Sequence, residues 1–553
     1  MTTCSSGHAG PEYSSHQTEV EHAFEKLVRI VSKVKCDEGK PFCRRCCRLG
    51  RRCEYRNDGD RTRDGDGSGS GNGTAQTPAP LVSESFDSGP FDSEPTQIQR
   101  QTLSSLERSA EERRAFEFYF RQAAPGISGV VDMAFWRGIV LQLGQTQPAI
   151  WDAIITIGTL YENPRYRNNA HTHSNLIDQS TVDDTHRRAL RWYARSLSNV
   201  REQLQRGAVD LHVALITCLL YIGIETMQGH IKEGYQLYGQ GVKLVSQIHA
   251  RNQSSNANNF GLLGDVALPV FVRMGIVSSI MTGLSLGVKS ESGFVIDEPY
   301  HFDSVYDAYM SLHKLVLHCT TFAEGVFRRL LRSDEEDTSK RVAQILLHSR
   351  LDDWRRAYQR LDDAQGLSRS TEYKGLAALF RMSWACASII VSTADSKEQN
   401  IYDQYIDLFE EMVQEGALNL TATATADGSQ PGFTFEMGVG LPLFFVAIKC
   451  RQPRLRREAI RLLQQAPPMQ GLFKSARAVY LASKVVELEE DRPFTLDLAA
   501  ENDQQLPAEN RRVEILLSVG DPLPKDRICF LRSHWDSERG EWRLVEESIE
   551  LEE

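Results

Sequence analysis

The stretch LHVALITCLLYIGI, residues 211–224, decides the fold class of this 553-residue chain. It contains no charged side chain, and its apolar residues occur around the whole helix rather than on one stripe. Fourteen residues are too few to span a bilayer, so the stretch is predicted to form a buried central helix. The helix is predicted to end near Glu225 and Gly229. One face of the helix that follows carries Tyr235, Tyr238, Val242 and Val245.

The same helical periodicity recurs through most of the chain. Pro148 is predicted to open the helix PAIWDAIITIGTLYE, in which isoleucines recur at helical spacing. Further helices are predicted at 351–361, 375–393, 455–463 and 472–490. Polar loops are predicted at 163–185, 251–259 and 421–432, and short strands at 513–519, 527–531 and 542–545. The predicted fold class is therefore mainly α, with a short β element at the C-terminus.

Charge is distributed unevenly along the chain. The formal net charge is −11, but residues 33–56 carry nine Lys or Arg against three Asp or Glu, a net of +6. Residues 1–32 carry −2, which leaves −15 for the remainder. A small basic module on an acidic body is typical of a nucleic-acid reader joined to a protein-interaction domain. No secretory signal pattern is present at the N-terminus, and the scattered cysteines predict free buried thiols in a reducing, intracellular compartment (Cys4, Cys218, Cys319, Cys386, Cys450 and Cys529).

Residues 33–56, KVKCDEGKPFCRRCCRLGRRCEYR, carry the strongest chemical signal. Four cysteines are spaced C-x6-C-x2-C-x6-C, and thiolates in such an arrangement suit a soft tetrahedral cation such as Zn²⁺. The surrounding lysines and arginines suit a polyanion. The segment is therefore predicted to bind zinc and double-stranded DNA. The four candidate metal ligands are Cys36, Cys43, Cys46 and Cys53.

This segment resembles the fungal-type binuclear zinc cluster of transcription factors. Three later segments, at 116–129, 214–245 and 441–467, resemble the fungal-specific regulatory domain that follows many such clusters. The second resemblance implies an all-α, non-catalytic domain that binds effectors and co-regulators. The two resemblances and the composition between them predict four regions: an atypical N-terminal segment at 1–32, a partial zinc cluster at 33–56, a disordered Gly/Ser/Pro-rich linker at 57–100 and the regulatory domain at 101–553.

The zinc-cluster resemblance implies roles for single residues. A complete cluster holds two Zn²⁺, and by position Cys36 would be the third ligand, Cys43 a bridging fourth, and Cys46 and Cys53 the fifth and sixth. Lys33 aligns with the base-contacting position, where an ammonium group can reach guanine in a CGG triplet. The residues expected to contact phosphate are Lys35, Arg44, Arg45, Arg48, Arg51 and Arg52. The alternative for the arginines is a solvated basic face or a nuclear-import signal.

The first Cys-x2-Cys pair of the family is missing, because its positions hold Lys26 and Arg29. With only four of six ligands, neither zinc ion of a binuclear cluster reaches the four ligands that structural sites require. The apolar spacing of residues 21–35 instead predicts an amphipathic helix. Two explanations stay open: a displaced start or exon junction before Lys33, or a protein that is impaired in zinc binding.

Other groups of residues are expected to be structural. His171 and His173 are predicted to lie in a solvated loop, and Glu225 and His230 to stabilise a helix end. The tryptophans are predicted to be core anchors (Trp136, Trp151, Trp192, Trp354 and Trp384). A basic cluster is predicted to form an ion-paired helix surface (Arg451, Arg454, Arg456 and Arg457).

The sequence as a whole predicts a nuclear, zinc-dependent, DNA-binding regulator of RNA polymerase II genes, with no membrane partner. One alternative is a co-regulator or competitor that has lost zinc and DNA binding. An all-α enzyme is a third, and the sequence contains no G-x-S-x-G, H-E-x-x-H or dinucleotide-binding fingerprint to support it. Dimerisation stays open, since the linker has no heptads.

Overall fold

The structure is a computed structural model that describes most of the chain from residue 108 onward. The predicted fold class, mainly α with a β element at the C-terminus, is confirmed. The partial zinc cluster, the linker and most of the predicted loop at 163–185 lie outside the described residues. The described ranges are 108–163, 184–206, 210–254, 263–282, 300–330, 338–425, 427–497, 506–515, 527–538 and 540–550.

The described chain begins with a capped helix. Ser109 accepts a hydrogen bond from the Glu112 backbone N–H at 3.2 Å, and the Glu112 carboxylate accepts one from the Ser109 N–H at 3.1 Å. This capping box satisfies two backbone donors that a helix start otherwise leaves unpaired. The first seven helices are α1 Ala110–Phe118, α2 Ala124–Ser128, α3 Val140–Thr146, α4 Pro148–Glu162, α5 Asp184–Gln205, α6 Leu211–Met227 and α7 Ile231–Ser254.

Helix α6 is the predicted central helix. The carboxylate of Asp210 accepts the backbone N–H groups of His212 and Val213 at 2.8 and 3.1 Å, which fixes the helix start. The helix ends where Gly229 adopts a positive φ of 84° and the His230 N–H returns to the Glu225 carbonyl at 2.9 Å. Almost every side chain of α6 is buried, because the helix packs against both α4 and α7.

The second half of the domain continues the helical pattern. Helix α11, Lys374–Thr393, is long and apolar enough to cross a membrane by length and composition, but 78% of its most apolar 18-residue window is buried within the protein, as in a core helix. It packs against α9, Val305–Leu330, and α12, Ile406–Thr423. The remaining helices are α8 Leu263–Thr282, α9 Val305–Leu330, α10 Thr338–Gln365, α11 Lys374–Thr393, α12 Ile406–Thr423, α13 Gly440–Lys449, α14 Pro453–Gln465 and α15 Ser475–Glu490. Short π and 3-10 turns occur at Tyr119–Ala123, Phe135–Ile139, Leu367–Arg369, Gln399–Tyr405 and Glu509–Arg511.

Two small sheets complete the described fold. In the first, β1 Phe433–Thr434 runs parallel to β2 Met469–Gln470, which pairs antiparallel with β3 Phe473–Lys474. In the second, the order is β4 Val513–Ile515, β5 Arg527–Asp536 and β6 Glu541–Glu550, and all pairs are antiparallel. The second sheet confirms the predicted C-terminal strands, although β5 and β6 are longer than predicted.

One connected apolar core extends through the described helices, from Tyr119 to Phe530. The prediction that tryptophans anchor the core is confirmed for Trp136, Trp151, Trp354 and Trp384, which are buried, while Trp192 is partly buried. The indole N–H of Trp354 donates to the Ala308 carbonyl at 3.1 Å, so this ring is placed by a hydrogen bond as well as by packing.

Candidate functional site

Helix α8 carries a single cation, Arg273, in the otherwise apolar run VALPVFVRMGIV at residues 266–277. The side chain of Arg273 is 1% exposed. A buried guanidinium group costs several kcal/mol unless the protein supplies an anion and hydrogen-bond acceptors. The packing around α8 supplies both from distant parts of the sequence.

We call Asp132, Arg273, Tyr309, His313 and Glu436 the Arg273 cluster. Arg273 forms an ion pair with Asp132, which is also 1% exposed. Its guanidinium carbon lies 5.2 Å from the centre of the Tyr309 ring, and the Tyr309 hydroxyl donates to Glu436 Oε1 at 2.6 Å. His313 Nδ1 lies 2.7 Å from the Tyr309 carbonyl oxygen, on the same helix α9. The cluster therefore joins four parts of the chain: the segment just before the turn Phe135–Ile139, helix α8, helix α9 and the segment just after β1.

Electrostatics in the Arg273 cluster are set by burial and by an excess of acids over bases. Burial raises the pKa of Asp132 although Arg273 opposes the shift, and burial raises the pKa of Glu436 to about 7. Burial and then the charge of Arg273 lower the pKa of His313 to about 3, so His313 is neutral at physiological pH. One permanent cation thus faces two carboxyl groups, and the pKa of about 7 means that Glu436 gains or loses a proton near neutral pH.

The Arg273 cluster also has hydrogen-bonding capacity that its own members do not use. Within the described residues, Arg273 Nε, Arg273 Nη1 and Asp132 Oδ1 have no hydrogen-bond partner although all three atoms are buried. Buried donors and acceptors are usually satisfied, because an unsatisfied one costs about 1–3 kcal/mol. The cluster can therefore accept a further polar group, and together with Glu436 it can respond to a proton.

A second buried charge cluster anchors the C-terminal sheet. Glu489 in α15 forms ion pairs with Arg451 at 3.0 Å and Arg456 at 2.9 Å, and none of these three side chains is exposed. Glu489 also accepts the backbone N–H of Val513 in β4 at 2.9 Å. Burial alone would raise the pKa of Glu489, but the two arginines hold it below its usual value. We call Arg451, Arg456, Glu489 and Val513 the Glu489 cluster.

The ion pairs predicted for the basic cluster at 451–457 are therefore confirmed, but its predicted surface position is wrong for most of its members. Arg451, Arg456 and Arg457 are buried, and only Arg454 is exposed. The reason is the acidic end of α15, where Glu489 and Glu490 receive these arginines; Arg457 bonds to Glu490 at 2.6 and 2.9 Å. The partners lie more than thirty residues apart in sequence, so local periodicity could not show them.

The predicted structural role of Glu225 and His230 is confirmed. Glu225 is buried, its Oε1 accepts the Tyr193 hydroxyl at 2.7 Å, and its Oε2 lies 2.7 Å from His230 Nδ1. These bonds connect the end of α6 to α5 and to the start of α7. His171 and His173 lie outside the described residues.

The part of the chain that the structure describes offers neither a metal site nor a reactive thiol among its buried cysteines. That part contains no group of three or more His, Cys, Asp or Glu side chains placed to hold a metal ion. The prediction of free buried thiols is confirmed for Cys218, Cys319, Cys386 and Cys450, while Cys529 is half-buried. Burial raises the pKa of Cys450 to about 11, so this thiol is protonated and unreactive at neutral pH.

A surface groove of about 440 Å³ lies beside α1 and the end of α4. Its volume falls in the range of small-molecule sites, but such sites are mostly apolar, and four of the six residues that line the groove are charged. The groove is therefore a weaker candidate than the Arg273 cluster. Its lining residues are Arg114, Glu117, Phe118, Arg121, Gln122 and Glu162.

Every residue predicted to bind zinc or DNA lies outside the described residues, so those assignments stay predictions. They comprise the four cysteines Cys36, Cys43, Cys46 and Cys53 and the basic residues Lys33, Lys35, Arg44, Arg45, Arg48, Arg51 and Arg52. The described residues belong to the predicted regulatory domain, and no sequence pattern had singled out the Arg273 cluster within it.

These contacts define a large helical domain in which buried charges connect distant segments. The family described as the fungal specific transcription factor domain matches residues 114–466, most of the described helices, and the chain belongs to this family. The matched residues include Asp132, Arg273, Tyr309, His313 and Glu436.

The chain is also similar to a regulator from Emericella nidulans, the aspercryptin biosynthesis cluster-specific transcription regulator. The two proteins are 23% identical over 251 residues, which are 44% of this chain and 37% of the relative. The chain therefore aligns with little more than a third of the length of that relative. No solved structure matches the chain.

Proposed function

We propose that this protein is a nuclear transcriptional regulator that binds DNA through residues 33–56 and controls its activity through the helical domain. The observation that carries the proposal is the match of the fungal specific transcription factor domain to residues 114–466. The relative from Emericella nidulans supports it, because its name describes a transcription regulator. Neither the description of the family nor the name of the relative indicates an enzyme.

Zinc-dependent DNA binding is the finer part of the proposal. Its support is the four-cysteine spacing of residues 33–56 and their net charge of +6, against an acidic remainder. Lys33 is expected to read a guanine base of a CGG triplet, whereas Arg48 is expected to contact phosphate. Replacing Lys33 should therefore reduce the preference for CGG, whereas replacing Arg48 should reduce the affinity for any duplex.

The test uses the full-length protein, its zinc content and its affinity for a CGG-containing duplex over a series of salt concentrations. Lys33→Ala should weaken binding to the CGG duplex by about 5- to 100-fold and reduce its preference over a scrambled duplex. Arg48→Ala should weaken binding to both duplexes equally and reduce the salt slope by about 1. Cys43→Ser should lower the zinc content, and Cys529→Ser, outside the segment, is the matched control.

A co-regulator without DNA binding is the second candidate, and the specific observation in its favour is the presence of Lys26 and Arg29 where the family has cysteines. Absence of zinc together with equal, weak binding to both duplexes would contradict the DNA-binding proposal and favour this alternative. Co-precipitation of the full-length protein with a DNA-binding partner would then be the expected result.

A further inference from the structure

The C-terminal hairpin has an open edge. Among the described residues, β6 Glu541–Glu550 pairs with β5 on one side and has no strand on the other. Alternate residues of such a strand direct unpaired N–H and C=O groups outward, and these groups are a template for another extended chain. Ten residues span about 33 Å, which is long for an edge strand that a protein leaves open.

The hairpin also exposes aromatic and apolar side chains. Trp535 and Trp542 are direct cross-strand partners with ring centres 5.4 Å apart, and Trp535 is 53% exposed. Val545 on β6 is 44% exposed. Large exposed tryptophans are uncommon on a surface that contacts only water, and their faces attract cations.

The net charge of β6 determines which charge a peptide that pairs with this strand should carry. Strand β6, residues 541–550, contains four Glu and one Arg, a net charge of −3. The single cation Arg543 is paired with Asp536 at 3.1 Å, and Glu547 is paired with Arg532 at 3.0 Å. Glu546 lies on the same face of the hairpin as Trp542, and its side chain is exposed.

From the open edge, the exposed Trp535 beside the half-buried Trp542 and the excess of acid, we infer that β6 binds a basic, extended peptide segment of a partner protein by strand addition. The backbone of the peptide pairs with the free edge, one of its Lys or Arg side chains lies over the Trp535–Trp542 pair, and another faces Glu546. A second copy of this chain is a poor occupant, because two β6 strands of net charge −3 repel each other. This inference is independent of zinc and DNA binding.

The experiment measures binding of a labelled synthetic peptide to the full-length protein by fluorescence anisotropy. The probe is a roughly eight-residue peptide in which lysine alternates with valine or threonine. The expected result is salt-sensitive binding that is lost when alternate peptide nitrogens are methylated, because methylation removes the donors for strand pairing while the charge stays.

Variants assign the binding to the edge. Glu546→Lys should raise the Kd about tenfold, and Trp542→Ala should raise it about threefold to fivefold. Glu410→Lys makes the same charge change at an exposed site in α12 and should leave the Kd within about twofold. Circular dichroism checks that each variant is folded, and Glu546→Gln serves as a milder variant.

Several results would overturn the inference. Equal binding of the methylated and unmethylated peptides would show that charge alone attracts the peptide. A Kd that neither Glu546→Lys nor Trp542→Ala changes would place binding elsewhere. A dimer in sedimentation that Trp542→Ala dissociates would show that a second copy occupies the edge. No binding at low salt would exclude this peptide class.

Discussion

Replacing Glu436 with glutamine should change how the stability of the protein depends on pH. The pKa of Glu436 is raised by burial from 4.5 to about 7. In the unfolded chain this carboxyl group loses its proton near pH 4.5, whereas in the folded protein it keeps the proton up to about pH 7. The folded state therefore binds more protons between these values, and the stabilisation is complete below pH 4.5 and lost as pH rises through about 7.

The magnitude follows from the difference between the two pKa values, about 2.5 pH units. At about 1.4 kcal/mol for each unit, ionisation of Glu436 costs the folded state about 3 kcal/mol by pH 8. Glutamine keeps an oxygen that can accept the hydroxyl of Tyr309 but cannot ionise. Relative to wild type, the Glu436→Gln variant should therefore gain about 3 kcal/mol between pH 4 and pH 8.

The assay is urea unfolding followed by circular dichroism at a series of pH values. Groups that titrate elsewhere contribute equally to both proteins, so the difference between the two free energies of unfolding isolates Glu436. Glu410→Gln, at an exposed position in α12, is the control and should follow wild type at every pH. A difference between Glu436→Gln and wild type that stays constant from pH 4 to pH 8 would refute the reasoning.

Three further substitutions test the packing and the buried charges by the same unfolding assay. Glu489→Gln removes the anion that Arg451 and Arg456 share, which leaves Arg456 only Glu490 at 3.8 Å, and should destabilise the protein by about 3–5 kcal/mol; a loss below about 1 kcal/mol would mean that water reaches the arginines. Gly158→Ala should cost about 1–3 kcal/mol, because its Cβ would lie 2.3 Å from the Ala115 carbonyl oxygen. Gly239→Ala is the matched helical control: its Cβ would meet nothing within 4 Å, so a gain of about 0.5–1 kcal/mol is expected, and a loss would contradict the packing described.

Helix positions could be predicted from the sequence where apolar periodicity was strong. Helix α4 begins at Pro148 as predicted, because proline fits the first turn of a helix. Helix α6 ends at Met227, between Glu225 and Gly229 as predicted, whereas α7 continues to Ser254 into the predicted loop at 251–259. Polar residues at a helix end resemble a loop in sequence, since a solvated last turn needs no apolar side chain.

The candidate site was not predictable in the same way. The members of the Arg273 cluster come from segments separated by up to about three hundred residues, and only the tertiary fold brings Asp132 and Glu436 to Arg273. A signal did exist, because a lone arginine in the apolar run 266–277 requires a buried anion. The sequence could not identify which of the chain's 74 acidic residues provides it.

The contact between Ile127 and the β1 region has a consequence for synthesis of the protein. The Ile127 carbonyl accepts hydrogen bonds from the Phe435 N–H at 2.9 Å and from the Thr434 hydroxyl at 3.2 Å, the latter across 307 residues. At roughly 5–20 residues per second, a ribosome needs about 15–60 s to reach Thr434 after Ile127 has been made. During that interval the apolar surface around Ile127 has no final partner, so the nascent helical domain should depend on chaperones, and a chain released before residue 435 cannot complete its core.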